Sequence, residues 1–262
     1  MPSPFRDNLF AGKVAFVAGG TSGINLGIAA RLGELGAKVA ILGRNPEKAQ
    51  AAADGIGALA LTADVRDYAA TRAAMERVRH ELGPMDIVVS GAAGNFLAPA
   101  LGMSANAFKA VIDIDLIGTF NVFRGCHDLL SLPGASLIAI TAGQAVNAMA
   151  LQAPACAAKA GINQLVRVLA IEWGPQVRVN AISPGPIAGT EGMARLAPDA
   201  STKQKHFDRI AMKRWGYIDE IAEGAVFLSS EAAKYITGAI LDIDGGSSLG
   251  DATQRSMDKG LA

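Results

Sequence analysis

Hydrophobic and polar positions along this chain fall into two alternating patterns. Short apolar runs rich in β-branched residues recur at 13–18, 38–42, 58–62, 85–90, 136–141, 177–183 and 239–243. Between them lie longer stretches with helical spacing, at about 24–35, 67–82, 154–173 and 219–229. Two more helices are predicted, one from the Asn45-Pro46 turn and one long helix after Ser104. Pro154 is placed as a first-turn proline, where its missing N–H costs nothing. A variable stretch, about 186–214, interrupts the alternation before the last helix. Strand–helix alternation of this kind builds βαβ units around a parallel sheet. The expectation is an α/β fold, a single doubly wound domain over 1–262 with a seven-stranded parallel sheet. Ligands in such sheets sit beyond the carboxyl ends of the strands.

Composition narrows the class. Hydrophobic residues make up 50% of the 262, enough for a substantial core. The formal net charge is zero, which supplies no electrostatic reason for a nucleic-acid or anionic-membrane partner, and neither partner is expected. No apolar run reaches membrane-spanning length. The first ten residues lack the apolar centre of a signal peptide, so a reducing, cytoplasmic setting is expected. Cys126 and Cys156 both lie in apolar, helix-like contexts and read as buried free thiols. His80, His127 and His206 are far apart, and none has metal-ligand spacing with a cysteine. No metal centre is expected.

The first strand runs directly into Gly19-Gly20-Thr21-Ser22-Gly23-Ile24-Asn25-Leu26-Gly27 and then into a helix. Glycines there let the backbone turn sharply and approach a pyrophosphate, while the helix start offers free N–H groups. In a first βαβ unit this is a dinucleotide site on a Rossmann-type domain. The second strand ends in Leu42-Gly43-Arg44, without the acidic residue that holds a ribose 2′-OH in NAD sites. A guanidinium suits a 2′-phosphate, so the expected cofactor is NADP(H). The alternative for Arg44 is a solvated surface arginine. Asp64-Val65, after the third strand, is placed along the adenine edge, or Asp64 is simply a polar strand end.

Further segments carry a resemblance. Gly91-Ala92-Ala93-Gly94 follows the fourth strand, Lys159 lies on the long helix, and Ser183-Pro184-Gly185 closes the sixth strand. With the glycine loop, these make the whole chain similar to the short-chain dehydrogenases/reductases. A narrower likeness lies in Ala92-Ala93-Gly94-Asn95-Phe96, Asp113-Ile114-Asp115, Gly118-Thr119-Phe120-Asn121, Glu172-Trp173-Gly174-Pro175-Gln176 and Pro184-Gly185-Pro186-Ile187. These resemble the 2,4-dienoyl-CoA reductases, most of all the peroxisomal type. The resemblance implies that Gly91, Ala92, Ala93, Pro184, Gly185 and Ile187 meet the cofactor, and that Lys159 holds the nicotinamide ribose. It also implies a homotetramer and an acyl-CoA-type substrate.

The departures from the wider family matter as much. Its usual tyrosine, one helical turn before the lysine, is Ala155 here, and its usual serine is Ala142, beside Thr141. Its helix asparagine is Asp115, and one fingerprint glycine is Asn25, which tolerates left-handed backbone better than most residues. Carbonyl reduction needs an acid for the nascent alkoxide, and tyrosine supplies it in the typical member. Reduction of a conjugated dienoyl thioester instead needs donors for a dienolate oxygen, and then a proton on carbon. The resemblance implies that a carboxyl group with a bound water delivers that proton, at the position of Asp115. Asp115 lies in an apolar helix, where loss of water favours the neutral acid. Asp113, two residues away, is expected to face elsewhere. Asn95 and Gln144 are candidate donors to the thioester oxygen, or structural loop residues. Lys203, Lys205, Arg209, Lys213 and Arg214 are candidate CoA-phosphate contacts, or a solvated basic loop.

The leading expectation is an NADPH-dependent 2,4-dienoyl-CoA reductase acting through Asp115, Lys159 and Asn95. A reductase of 3-oxoacyl thioesters or other carbonyls with a rearranged site remains open, as does a catalytically silent NADP(H)-binding scaffold.

Overall fold

The computed structural model describes residues 4–190, Met193 and 199–250. The seven strands are β1 (Val14–Ala18), β2 (Lys38–Gly43), β3 (Leu59–Thr62), β4 (Ile87–Ser90), β5 (Ala135–Ile140), β6 (Val177–Pro184) and β7 (Ile240–Ile243). They form one parallel sheet in the order β3-β2-β1-β4-β5-β6-β7. The order reverses at β1 and β4, whose last residues Ala18 and Ser90 pair with each other, while Ala18 also pairs with Leu42. The glycine loop and the loop after β4 therefore leave the sheet side by side, at the topological switch point where such sheets bind ligands.

β1 is buried on both faces because helices cover both. Val14, Phe16 and Ala18 join one core with Met75 and Val78 of α3 (Tyr68–Glu81), and with Ile162 and Val166 of α6 (Ala153–Trp173). Ala15 and Val17 point the other way. They join Ile28 and Leu32 of α1 (Gly23–Glu34) and Ile221 and Val226 of the last helix, α8 (Ile218–Ser229). The period of two along a strand thus feeds two separate cores, and each fully buried Phe, Ile or Leu contributes roughly 1.5–3 kcal/mol. α1 and α8 approach so closely that a Cβ on Gly27 would lie 2.1 Å from Ile218. Cys126 is fully buried as expected, and burial pushes its thiol up. Cys156 is not; it is partly exposed near the start of α6.

The predicted long helix after Ser104 is interrupted. α4 (Ala105–Ile112), capped by Ser104, passes into a π-helical turn at Asp113–Ile117 before α5 (Gly118–Cys126). Gly118 N–H bonds to Asp113 O across the wide turn. Thr119 Oγ1 donates to Asp115 O at 2.7 Å, so a side chain serves the carbonyl there. The turn aims Asp115 inward, while Asp113 lies outside and pairs with Lys109. A π turn of this kind recurs at functional sites. α2 (Pro46–Ile56) is capped by Asn45, and the variable stretch contains α7 (Ala200–Arg209), capped by Asp199. Among the described residues, no helix is long and apolar enough to cross a membrane.

Candidate active site

At the β1–β2–β4 end of the rim lies a cavity of about 330 Å³. Gly19, Thr21 and Ser22 form one wall, Arg44, Asp64 and Val65 a second, and Gly91, Ala92 and Ala93 a third. Gly19 has φ +76°, and a Cβ on it would lie 2.7 Å from Ala92 N, so the turn admits only glycine. Gly23, at φ +57° with open space around its missing Cβ, begins α1, followed by Ile24. Ser22 caps α1 in position only, since its side chain accepts no N–H from the helix. The first-turn donors of α1 are thereby left for an anion, whereas α2, α3, α4 and α7 satisfy a first-turn N–H with a side chain.

Arg44 is exposed, and among the described residues it makes no hydrogen bond or ion pair. Lys48 was not anticipated. The Asn45 cap fixes the first turn of α2, and Lys48 Nζ reaches back to Ser22 Oγ at 3.3 Å. Gly43 explains why the strand end bears no carboxylate: a Cβ there would stand 2.4 Å from Thr21 Cγ2. Asp64 is already engaged, since Arg66 donates to both its carboxylate oxygens and to Oδ1 through its backbone N–H. The Arg66 guanidinium holds the Asp64 carboxyl below the usual carboxylate range.

Asn25 corrects an expectation. It lies within α1 and is not among the residues with positive φ, so its tolerance for left-handed backbone is irrelevant. Its side chain acts instead. Asn25 Nδ2 donates to Gly91 O at 2.8 Å and toward Gly19 O at 3.4 Å, clamping the two loops that flank the cavity. Its Oδ1 is buried without a partner among the described residues.

Toward β5 and β6, Asp115 is 1% exposed. Its Oδ1 accepts Gly94 N–H at 2.8 Å, and its Oδ2 lies 3.2 Å from Lys159 Nζ. The buried acid is therefore not isolated: the Gly94 N–H and the Lys159 ammonium both face it. Lys159 is also buried, and its Nζ donates to Ile140 O at 3.1 Å. Lys159 Nζ thus makes one hydrogen bond, to Ile140 O, beside its ion pair with Asp115, and keeps donor capacity for a ligand. Ala155 is buried on the same helix, filling the tyrosine position with a methyl group. Thr141 does not replace the missing serine, because its hydroxyl bonds to Lys159 O. Tyr68, Tyr217 and Tyr235 are exposed, and none is bonded to Lys159 or Asp115.

Asn95 Nδ2 and Gln144 Nε2 both donate to Gln152 Oε1, at 2.8 and 3.2 Å. Gln152 carried no signal in the sequence beyond its place before Pro154. Pro184 pairs with Ile243, and Gly185 packs against Asp244, where a Cβ would lie 2.6 Å from Cα. Ile187 has its side chain in the core, so only its backbone is left to a ligand. These three residues do not line the main cavity; Ile187 borders a smaller one of about 150 Å³. In the variable stretch, Lys203 sits over Trp215, Lys213 bonds to Asp208 O and Arg214 pairs with Glu220. Those three cations are engaged by the protein itself, and the stretch between Thr190 and Asp199, Met193 apart, lies outside the described residues.

The family described as Enoyl-(Acyl carrier protein) reductase matches residues 18–248. The peroxisomal 2,4-dienoyl-CoA reductase [(3E)-enoyl-CoA-producing] of Rattus norvegicus is 42% identical over 252 residues, 93% of this chain and 86% of the rat protein. The chain belongs to the short-chain dehydrogenase/reductase family. A second member, from Saccharomyces cerevisiae and with the same enzyme name, is 40% identical over 92% of this chain and 86% of its own length. Among solved members, a gluconate 5-dehydrogenase from Burkholderia cenocepacia in complex with NADP and tartrate superposes with a TM-score of 0.83. It is 28% identical and covers 92% of this chain and 97% of its own. The expected cytoplasmic setting is overturned by these relatives, since the rat and yeast enzymes are named as peroxisomal.

Proposed function

We propose that this protein reduces a conjugated 2,4-dienoyl-CoA to an enoyl-CoA with NADPH. The observation that carries the reading is the buried Asp115–Lys159 pair beside an alanine in the tyrosine position. The enzyme names of the rat and yeast relatives support it. The cavity fits NADP(H): the uncapped start of α1 takes the pyrophosphate, and unpaired Arg44 with Lys48 takes the 2′-phosphate. When bound, the nicotinamide supplies the hydride.

The chain's own residues do the rest. With NADPH bound, Lys159 would hold the nicotinamide ribose and set its positive charge near the reacting centre. Charge arriving on the thioester oxygen meets the amide of Asn95. Asp115, between an N–H group and an ammonium, relays a proton through water to carbon, and Lys159 replenishes it. Hydride at the far end of the diene and a proton on the carbon beside the thioester together leave one double bond between them, as in the (3E)-enoyl product of the rat and yeast enzymes. A carbonyl reductase lacks its acid here, because no phenol is bonded to Lys159.

The protein works as a homotetramer. Ile117 and Phe120 on the π turn and α5, with Val168 and Ile171 on α6, expose apolar side chains, Ile171 to 83%, and such helix faces pair across two-fold axes. The test is purified protein with NADPH and a panel of dienoyl-, enoyl- and 3-oxoacyl-CoA esters, with light scattering for mass. NADPH oxidation is expected with the dienoyl esters. Turnover of 3-oxoacyl esters alone, or of none, overturns the function, and a monomer overturns the assembly.

A further inference from the structure

Three carboxamides from separate segments meet at one atom. Asn95 comes from the loop after β4, Gln144 from the turn after β5, and Gln152 directly precedes α6. Gln152 Oε1 accepts from both of the others, at 2.8 and 3.2 Å. A carbonyl oxygen has two lone pairs, so this acceptor is filled, while Asn95 and Gln144 each keep one free amide N–H. Gln152 Nε2 touches only Met149 Sδ, at 3.7 Å. Isolated neutral hydrogen bonds at a wet surface add about 1 kcal/mol each to stability, too little to explain three side chains held in register on three segments.

The position of the cluster is informative. Gln152 is the residue immediately before α6, and Lys159 follows it by seven positions in the first turns of that helix. Asn95 follows Gly94, whose N–H holds Asp115 Oδ1. The amide cluster and the buried ion pair are thus joined through a single peptide. The same two loops are tied by Ala98 N–H to Leu151 O at 3.0 Å. They also expose Phe96, Leu97, Val146, Met149 and Leu151. A polar node set among exposed apolar side chains matches an acyl thioester, polar at its carbonyl and apolar along its chain.

We infer that Gln152 is a positioning residue, holding Asn95 and Gln144 as a fixed pair of N–H donors for the substrate's thioester oxygen. The inference rests on the acyl-CoA reading above. Neutral amides suit this task. They stabilise negative charge on oxygen without surrendering a proton to it, so the charge stays available to the carbon that must be protonated.

The experiment compares wild type, Gln152→Met, Gln152→Glu and Gln144→Met with a 2,4-dienoyl-CoA, and measures NADPH binding by fluorescence. Methionine keeps the length and removes the acceptor; glutamate keeps an acceptor. Gln152→Met is expected to lower kcat by about 10- to 100-fold with NADPH affinity unchanged, and Gln144→Met to lower it in the same way. Gln152→Glu should recover most of the rate. In an Asn95→Ala, Gln144→Met background, adding Gln152→Met should cost nothing further, because its effect passes through those two amides. Wild-type kcat in Gln152→Met, a loss that persists in that background, or loss of NADPH binding in Gln152→Met would each overturn the inference and leave the reductase reading standing. A wild-type protein inert toward dienoyl-CoA overturns both.

Discussion

The two ends of the rim are built differently. At the nucleotide end, the loops after β1, β2 and β4 already enclose a cavity, its helix start is uncapped and its arginine is unpaired. That surface is ready for an anion, and its groups are exposed. At the catalytic end the polar groups hold one another in place: Asp115 with Gly94 and Lys159, Lys159 with Ile140, and Asn95 and Gln144 with Gln152. Binding a charged cofactor needs free donors, whereas moving a proton needs groups held in fixed mutual geometry. Truncations should therefore separate cleanly, with losses of affinity at one end and losses of rate at the other.

The largest effect is expected at Asp115. Asp115→Asn keeps the volume and removes the proton-carrying carboxyl, so kcat for a dienoyl-CoA should fall by about 100-fold or more. NADPH affinity should stay within about threefold, because the nucleotide cavity is untouched. Steady-state kinetics beside a fluorescence titration separates the two, and an equal loss in both would erase the contrast between the ends. Next comes Arg44→Ala. Removing a charge-assisted contact to the 2′-phosphate should weaken NADPH about 10- to 100-fold and leave NADH unchanged, while kcat at saturating NADPH is preserved. Smallest is Asn25→Ala. Losing the clamp between Gly19 O and Gly91 O should weaken NADPH and NADH alike by about fivefold. A change confined to NADPH would mean that Asn25 acts on the 2′-phosphate instead of the loops.

Much of the nucleotide end was legible because its chemistry is local. Gly19 to Ile24 are contiguous, and a strand–glycine–helix pattern carries its own geometry. Arg44 was legible because it follows a strand end whose position the apolar run defines. Lys48 was not, since its approach to Ser22 depends on where the Asn45 cap starts α2. At the catalytic end, Asp115 and Lys159 could be named, but only as separate residues. Their pairing depends on the π turn, which interrupts a stretch that reads as continuous helix. Asn25 was read as a tolerated backbone substitution, and its role as a side-chain clamp needs the neighbouring β4 loop. Gln152 had no local mark, because its meaning lies in two partners from other loops.

By itself, then, the sequence determined the alternation of strands and helices, the parallel sheet, the glycine turn and the alanine one helical turn before Lys159. All of these follow from spacing along the chain or from the presence of a residue type. Tertiary structure alone decided that Asp115 is paired, that the β1 and β4 loops are clamped, and that three amides share one acceptor. Those are contacts between segments far apart in the chain, brought together by strand order and close helix packing, and local periodicity carries no record of them.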